Sequence, residues 1–337
     1  MHIFYIHSHI TYVIAQLFIL EFKLDRNKVK FITSRSYTMK ANEHGYDVTN
    51  LYNYLEQASK LSKIFKLKGK LIVLDEGITQ LSDGNSFTAY LPQFNHSLFQ
   101  IIATHKLCNN IVLVEEGITA YKQDKALYEP TKMGVSQYLS KMFSKRFLLH
   151  NSHYYPYPKE KFKFAICMST DCFPFIDEKK VLNIDSKIVS NYKNTIANDD
   201  IVFVLDSFKE RTNITEEDYL KIIKDTLNLN PSGNRLFVKF HPEQNEAIRE
   251  KTISFIVQHF NFQDIICLGD HCILEFEFLK SNNLTVIGMH TSLLYYAKRF
   301  GHRVLSSVKI TSKLPKINTY IDHIMDKEQR EEFMSYE

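Results

Sequence analysis

Short apolar runs alternate with amphipathic stretches along this chain. Five runs are compact and rich in β-branched residues: 70–74 (KLIVL), 111–114 (IVLV), 201–205 (IVFVL), 236–240 (LFVKF) and 284–288 (LTVIG). Each is bounded by polar residues or Gly, the pattern of parallel strands covered on both faces. Helical periodicity fills intervals between them, over 51–65, 97–105 and 216–227. Thr215 followed by Glu216, Glu217 and Asp218 is a helix start, a capping hydroxyl with acids in the first turn. The first residues follow the same plan: a strand over 3–7, a turn at Ser8 and His9, a helix over 11–20. Alternating strands and helices predict an α/β fold with mostly parallel sheets.

A chain of 337 residues has room for two domains. The stretch 151–164 (NSHYYPYPKEKFKF) carries Pro156 and Pro158 among tyrosines and basic residues, without periodicity. It reads as a linker, so the expected domains are 1–160 and 161–337. Two strand-like runs end alike, in VLDEGIT (73–79) and VEEGIT (114–119).

Composition narrows the class. Hydrophobic residues at 44% with 25 Phe and 19 Tyr exclude disorder, and 10 Gly with 8 Pro exclude a collagen-like chain or a linker. A formal charge of +4 gives no reason to expect nucleic acid. The five cysteines (108, 167, 172, 267 and 272) are an odd number in a large chain, which favours reduced thiols over a disulfide scaffold. The spacings 167/172 and 267/272 resemble zinc pairs, but no His stands at ligand spacing near Cys167. Residues 1–22 are apolar, yet His7, His9 and Gln16 interrupt them, and they lack a basic start and a small-residue cleavage site. No transmembrane segment is expected, and the localisation is read as cytoplasmic. Basic and aromatic residues mix over 141–164, compatible with a solvated linker or with peripheral docking on the anionic inner membrane.

Several nucleotide signatures are missing: no Gly-x-Gly-x-x-Gly, no Walker A sequence, no Gly-x-Ser-x-Gly, no Asp-x-Asp. Three segments remain. In VEEGITAY (114–121) Glu115 and Glu116 end an apolar strand, and Gly117 permits a sharp turn. Ligands of open α/β sheets bind beyond the carboxyl ends of strands, and a half-buried carboxylate there can act as a general base. Side chains alternate along a strand, so one of the two acids faces a ligand and the other does not. In FVKFHP (237–242) Pro242 stops the ladder and presents His241 at the sheet edge, with Lys239 two residues earlier as a source of positive potential. In GMHTSLLYYA (288–297) Thr291 and Ser292 begin a helix, either as plain caps or as part of an anion site. Glu275 sits in the apolar run ILEFEFL (273–279), as an edge residue or as an acceptor for a ribose.

The order and spacing of these motifs resemble those of the bacterial sialyltransferases that build lipooligosaccharide and capsular polysialic acid. That family shares an acidic-acidic-Gly motif in its first domain and a His-Pro motif and a Ser/Thr pair in its second. The stretch 90–108 is also similar to the segment preceding the acidic motif in the lipooligosaccharide group. The resemblance covers about residues 3–300. It departs in having Glu116 where Asp is frequent and Thr291 in place of the first Ser.

The resemblance implies a GT-B architecture, two Rossmann-like domains with parallel sheets facing a central cleft. It implies an inverting glycosyltransferase with no cofactor and no metal. The donor would be a CMP-linked sialic or related nonulosonic acid, and the acceptor a surface glycan or glycolipid. Glu115 or Glu116 would then be the base, with Glu115 favoured, although alternation does not choose between them. By the same resemblance His241 contacts the CMP phosphate and protonates the leaving group, Thr291 and Ser292 hold that phosphate, and Glu275 binds the nucleoside sugar. Asp75-Glu76-Gly77 ranks below the 115–117 motif as a source of the base. The competing expectations are a GT-B enzyme that uses CMP-Kdo or a UDP-sugar, and a non-catalytic protein on the same fold.

Overall fold

The computed structural model describes residues 1–33, 47–50, 66–129, 146, 152–190, 192–193, 195–230, 232–270 and 272–336. They form two compact units, Met1–Asp185 and Ser186–Glu337.

The first unit is built on strands β1 (His2–Ile6), β2 (Val29–Thr33), β3 (Asp47–Asn50), β4 (Phe87–Leu91), β5 (Cys108–Val114), β6 (Phe162–Cys167) and β7 (Lys179–Val181). They pair in parallel in the order β3-β2-β1-β4-β5-β6-β7. Helices α1 (His9–Glu21), α2 (Lys66–Leu81) and α3 (Ser97–Ala103) accompany them. Helix α1 starts at His9, two residues ahead of the expected start at 11: the Ser8 hydroxyl accepts from the Thr11 amide, and the Thr11 hydroxyl takes the amides of His7 and Ser8. This capping box ends β1 and holds His7 at its tip.

The second unit contains β8 (Ile201–Val204), β9 (Ser232–Lys239), β10 (Asn261–Leu268), β11 (Thr285–Gly288) and β12 (Arg303–Ser306). These are also parallel, in the order β10-β9-β8-β11-β12. Its helices are α4 (Phe208–Thr212), α5 (Glu216–Leu227), α6 (Glu246–His259), α7 (Leu274–Lys280), α8 (Ser292–Arg299), α9 (Val308–Thr311), α10 (Pro315–Ile324) and α11 (Lys327–Met334). Helix α5 begins on its Thr215 cap, as expected. Gly288 is required at the end of β11. A Cβ there would stand 2.7 Å from Leu294 Cδ1 and 2.8 Å from the Val204 carbonyl oxygen, so only glycine lets α8 approach the sheet this closely.

In both sheets the first strand lies inside the sheet, and later strands add on its other side. That reversal creates a crevice at the carboxyl ends, where ligands of open α/β sheets bind.

Three expectations are corrected. The run 70–74 is not a strand but the middle of α2. Leu74, Ile78 and Leu81 are buried while Ile72 is 50% exposed. Spacings of three and four residues gather one helical face and leave Ile72 outside, whereas a doubly covered strand would bury it too. Asp75-Glu76-Gly77 therefore sits inside a helix, where Asp75 pairs with Arg146. The stretch 151–164 is not a free linker. Its Tyr154 is fully buried, the Tyr154 amide bonds the Leu127 carbonyl, and the Phe94 amide bonds the His153 carbonyl. The boundary also moves: strands β6 and β7 complete the first sheet, so 161–185 belongs to the first unit. The expected helix over 51–65 lies outside the described residues. So does most of 141–151 in the basic-aromatic segment. Within that segment Arg146 is bound to Asp75 and the Ile101 carbonyl, and Lys161 to the carbonyls of Ala103 and His105. Among the described residues no helix is long and apolar enough to cross a membrane.

Candidate functional site

At the carboxyl end of β5 the paired acids part company. The Glu115 amide still donates to the Ile166 carbonyl, so the chain keeps strand geometry and the two side chains point to opposite faces. Glu115 is fully buried. Its carboxylate accepts from the Tyr121 hydroxyl and the Met168 amide, both at 2.7 Å. It ties the end of β5 to the turns that follow β5 and β6. Glu116 faces the other way, with 11% of its side chain exposed. One oxygen lies 3.4 Å from His7 Nε2 and the other accepts from the Tyr154 hydroxyl at 3.2 Å. Burial raises the Tyr154 phenol well above its usual pKa, with the Glu116 charge adding to the effect, so it remains a donor. Gly117 follows at φ 140°, a backbone conformation open to glycine, with nothing within 4 Å of a would-be Cβ. The turn keeps Glu116 at the edge. Glu115 is thus a fully buried structural tie, and of the two acids Glu116 keeps the partial exposure, the reverse of the preference for Glu115.

The second unit gathers its candidates at the carboxyl ends of β9, β8 and β11. The His241 amide donates to Gln244 Oε1 at 2.9 Å, and His241 Nδ1 accepts from the Glu243 amide at 3.2 Å. With Nδ1 accepting, the proton of the neutral ring is on Nε2, the nitrogen left for a ligand. Gln244 is held in turn by the Tyr219 hydroxyl, so the His241-Pro242 corner is fixed from below. Burial pulls the His241 pKa down, while Asp206 and Glu243 pull it up. Asp206 and Ser207 follow β8, and His290 follows β11. His290 is 4% exposed, and burial lowers its pKa to about 3, so the ring is neutral. Its Nε2 stands 3.6 Å from Asp206 Oδ2, too long for a hydrogen bond. Among the described residues neither ring nitrogen of His290, nor Asp206 Oδ1, has a hydrogen-bond partner. Burial raises Asp206 to about 6, against the opposing pull of His241 and Arg211.

The other expected residues divide. Thr291 is the cap of α8, its hydroxyl accepting from the Leu293 amide at 3.3 Å, and Ser292 is the first residue of that helix. Lys239 does not stand free beside His241: its ammonium donates to the carbonyls of Gly269 and Cys272 at 2.8 and 3.1 Å. It clamps the loop after β10, and burial lowers its pKa. Glu275 is buried in the first turn of α7, its Oε2 without a hydrogen-bond partner among the described residues, and burial raises it to about 7. Its neighbour Glu277 is structural, accepting from the Thr195 and Ile196 amides and the Tyr192 hydroxyl. Among the described residues no group of three or more His, Cys, Asp or Glu could hold a metal ion.

Sequence reasoning missed His7, Tyr154, Asp206 and His290. His7 was read only as a strand end, and Tyr154 lay in the supposed linker. Asp206 and His290 each directly follow an expected strand or its terminal Gly-Met, and strand-end position was the one available signal.

Two parallel sheets, each with its candidate groups along the carboxyl edge, are the architecture of the GT-B fold. The GT-B domain of a Photobacterium damselae sialyltransferase shares this architecture, with a TM-score of 0.51 and 12% identity over 98% of this chain and 99% of that one. A second structure of the Photobacterium enzyme aligns at 0.50 and 13% identity, covering 98% of this chain and 80% of that one. S. aureus MnaA, in a co-structure with UDP, aligns at 0.50 and 12% identity over 99% and 90%. At such identities the likeness concerns the fold. No curated protein matches the chain. The family model described as alpha-2,8-polysialyltransferase matches residues 2–309, and the chain belongs to that family. It is a glycosyltransferase of the sialyltransferase type, acting on a nucleotide-sugar donor and a glycan acceptor.

Proposed function

We propose that this enzyme transfers sialic acid, or a related nonulosonic acid, from its CMP donor to a hydroxyl of a bacterial surface glycan, with inversion and without a metal. The observation that carries the reading is the family match over 2–309, which spans the acidic motif, the His-Pro corner and the start of α8. The family's description suggests the acceptor: a terminal sialic acid extended through an α2,8 linkage.

The chemistry divides between the two carboxyl edges. The acceptor O–H gives its proton to Glu116, the partly exposed acid of the two, and the alkoxide oxygen bonds the anomeric carbon. The bond from that carbon to the CMP phosphate breaks, and its electron pair leaves with the phosphate. The transition state is oxocarbenium-like, and charge collects on the leaving group. His241 donates to it through Nε2, and Ser292 with the α8 terminus supports the phosphate. Thr291 contributes through the same turn, which it caps. Glu275, poised near neutrality, suits a ribose hydroxyl. Lys239 supports the site indirectly, through the loop it clamps. The protein works in the cytoplasm, and contact with the inner-membrane surface through 141–164 is part of the proposal. Liposome co-sedimentation that ignores charge reversal at Lys145 and Arg146 removes that part.

The test offers purified enzyme CMP-sialic acid, CMP-pseudaminic acid, CMP-legionaminic acid, CMP-Kdo and UDP-sugars with sialylated and unsialylated acceptors, read by mass spectrometry. Transfer from a CMP-nonulosonic acid is expected. Transfer from CMP-Kdo or a UDP-sugar alone moves the enzyme to another donor class.

A further inference from the structure

The second sheet aligns three polar side chains in one row. Val204 of β8 is in register with Lys239 of β9 and with Gly288 of β11. The Leu205 amide continues the ladder to the Lys239 carbonyl at 2.9 Å. Two residues beyond that row stand His241, Asp206 and His290. Adjacent strands lie about 4.8 Å apart, so Asp206 sits between two imidazoles. It sits where the strand order reverses.

We propose that Asp206 is a positioning residue for His241, its carboxylate favouring the protonated form of the ring, which gives a proton to the departing phosphate. This rests on the role of His241 proposed above. The form that acts is the imidazolium, in which Nδ1 has released the Glu243 amide and taken a proton; its Nε2 proton moves to the phosphate oxygen as the bond to the anomeric carbon breaks, and the ring is left neutral.

The surroundings isolate this pair. His290 stays neutral, so of the two rings only His241 responds to the carboxylate. Glu243 also favours the charged ring, while Arg211 and Arg249 oppose it. Arg211 is engaged elsewhere, by the Glu243 carboxylate and the Tyr320 hydroxyl. Glu243 is largely exposed, and its charge is screened by solvent and by Arg211. Asp206 is the carboxylate that combines burial with a place in the row.

The sign follows from linkage. An ionised Asp206 raises the His241 pKa, so Asp206→Asn lowers it. The alkaline limb of kcat then moves to lower pH, with little change in KM for the donor. At pH 8 the loss in kcat is about tenfold, less than the ~10²–10⁴-fold of losing the acid itself, because the ring stays in place.

The decisive measurement is an NMR titration of the full-length protein with 13C-labelled histidine rings, His241 being assigned by its absence in His241→Asn. The His241 midpoint is expected to fall in Asp206→Asn and to be retained in Asp206→Glu. An unshifted midpoint in a folded Asp206→Asn protein overturns the proposal. Should that variant not fold, the wild-type curve decides. Two coupled steps support a shared titration with Asp206, and a single step overturns it. Wild-type turnover of CMP-sialic acid is measured alongside. A shifted His241 midpoint without any turnover supports Asp206 and overturns the transferase reading. Normal turnover with an unshifted midpoint does the opposite.

Discussion

The two sheets place the same chemical pair, an imidazole beside a carboxyl, at their carboxyl edges, and use it differently. In the first unit His7 and Glu116 lie 3.4 Å apart with 20% and 11% of their side chains exposed, and a phenol donates to the acid. In the second, His290 and Asp206 lie 3.6 Å apart with 2% and 11% exposed, and Asp206 Oδ1 has no hydrogen-bond partner among the described residues. The strands explain part of the contrast. His7 and Glu116 come from β1 and β5, which are separated by β4. Asp206 and His290 come from adjacent strands, so the sheet packs them together. The two carboxylates are equally exposed, so the difference lies in their partners: Glu116 has a phenol donor and a partly exposed imidazole beside it, Asp206 a buried imidazole.

This contrast can be broken in order of expected effect. Replacing Glu116 with Gln removes a proton acceptor, so transfer falls by about 10²–10⁴-fold while the melting temperature is kept. Retained activity in that variant would return the base to another acid. For His290 the expectation concerns pH. Its folded pKa is about 3 against 6.5 in the unfolded chain, so below pH 6.5 the unfolded state gains a proton that the folded state does not. Stability is lost as pH falls, on the order of 4 kcal/mol by pH 3. Asp206 opposes this loss, because its raised pKa makes the folded state bind a proton earlier. The difference between wild type and His290→Gln in urea titrations at several pH values isolates the histidine.

Glu115→Ala is a stability variant. It strands the Tyr121 hydroxyl and the Met168 amide inside the core, a cost on the order of 3 kcal/mol in denaturant unfolding. Were it instead as stable as wild type but inactive, the division of labour between the two acids would be inverted. The smallest effects belong to Tyr154→Phe and Thr291→Ala. The first removes one donor to Glu116, about 1 kcal/mol, read in kcat and its pH profile. The second removes the α8 cap, also about 1 kcal/mol, read in the melt, with Ser292→Ala as the partner variant that lowers CMP affinity instead.

Much of the architecture was legible because buried parallel strands announce themselves. The runs at 111–114, 201–205, 236–240 and 284–288 all appear as strands, and Thr215 caps its helix. The run at 70–74 failed for a physical reason: four consecutive apolar residues fit either period, and only the burial of Leu74 and Ile78 beside an exposed Ile72 reveals the helix. The segment 151–164 failed because prolines and tyrosines without periodicity mark both a loop between domains and a loop packed into one.

At the sites, the amino-acid sequence by itself determined which groups stand at strand ends: two acids and a glycine after β5, a His-Pro corner after β9, two hydroxyls at the start of α8. Strand alternation also required the two acids to face apart. What it could not decide was which acid faces out, because that depends on where β6 and the Tyr154 loop pack, more than 35 residues away in sequence. Nor could it assemble the row of His241, Asp206 and His290, which exists only through the register of three strands distant along the chain. Local order comes from neighbours in sequence, whereas burial and register come from neighbours in space, and proton chemistry depends on the latter.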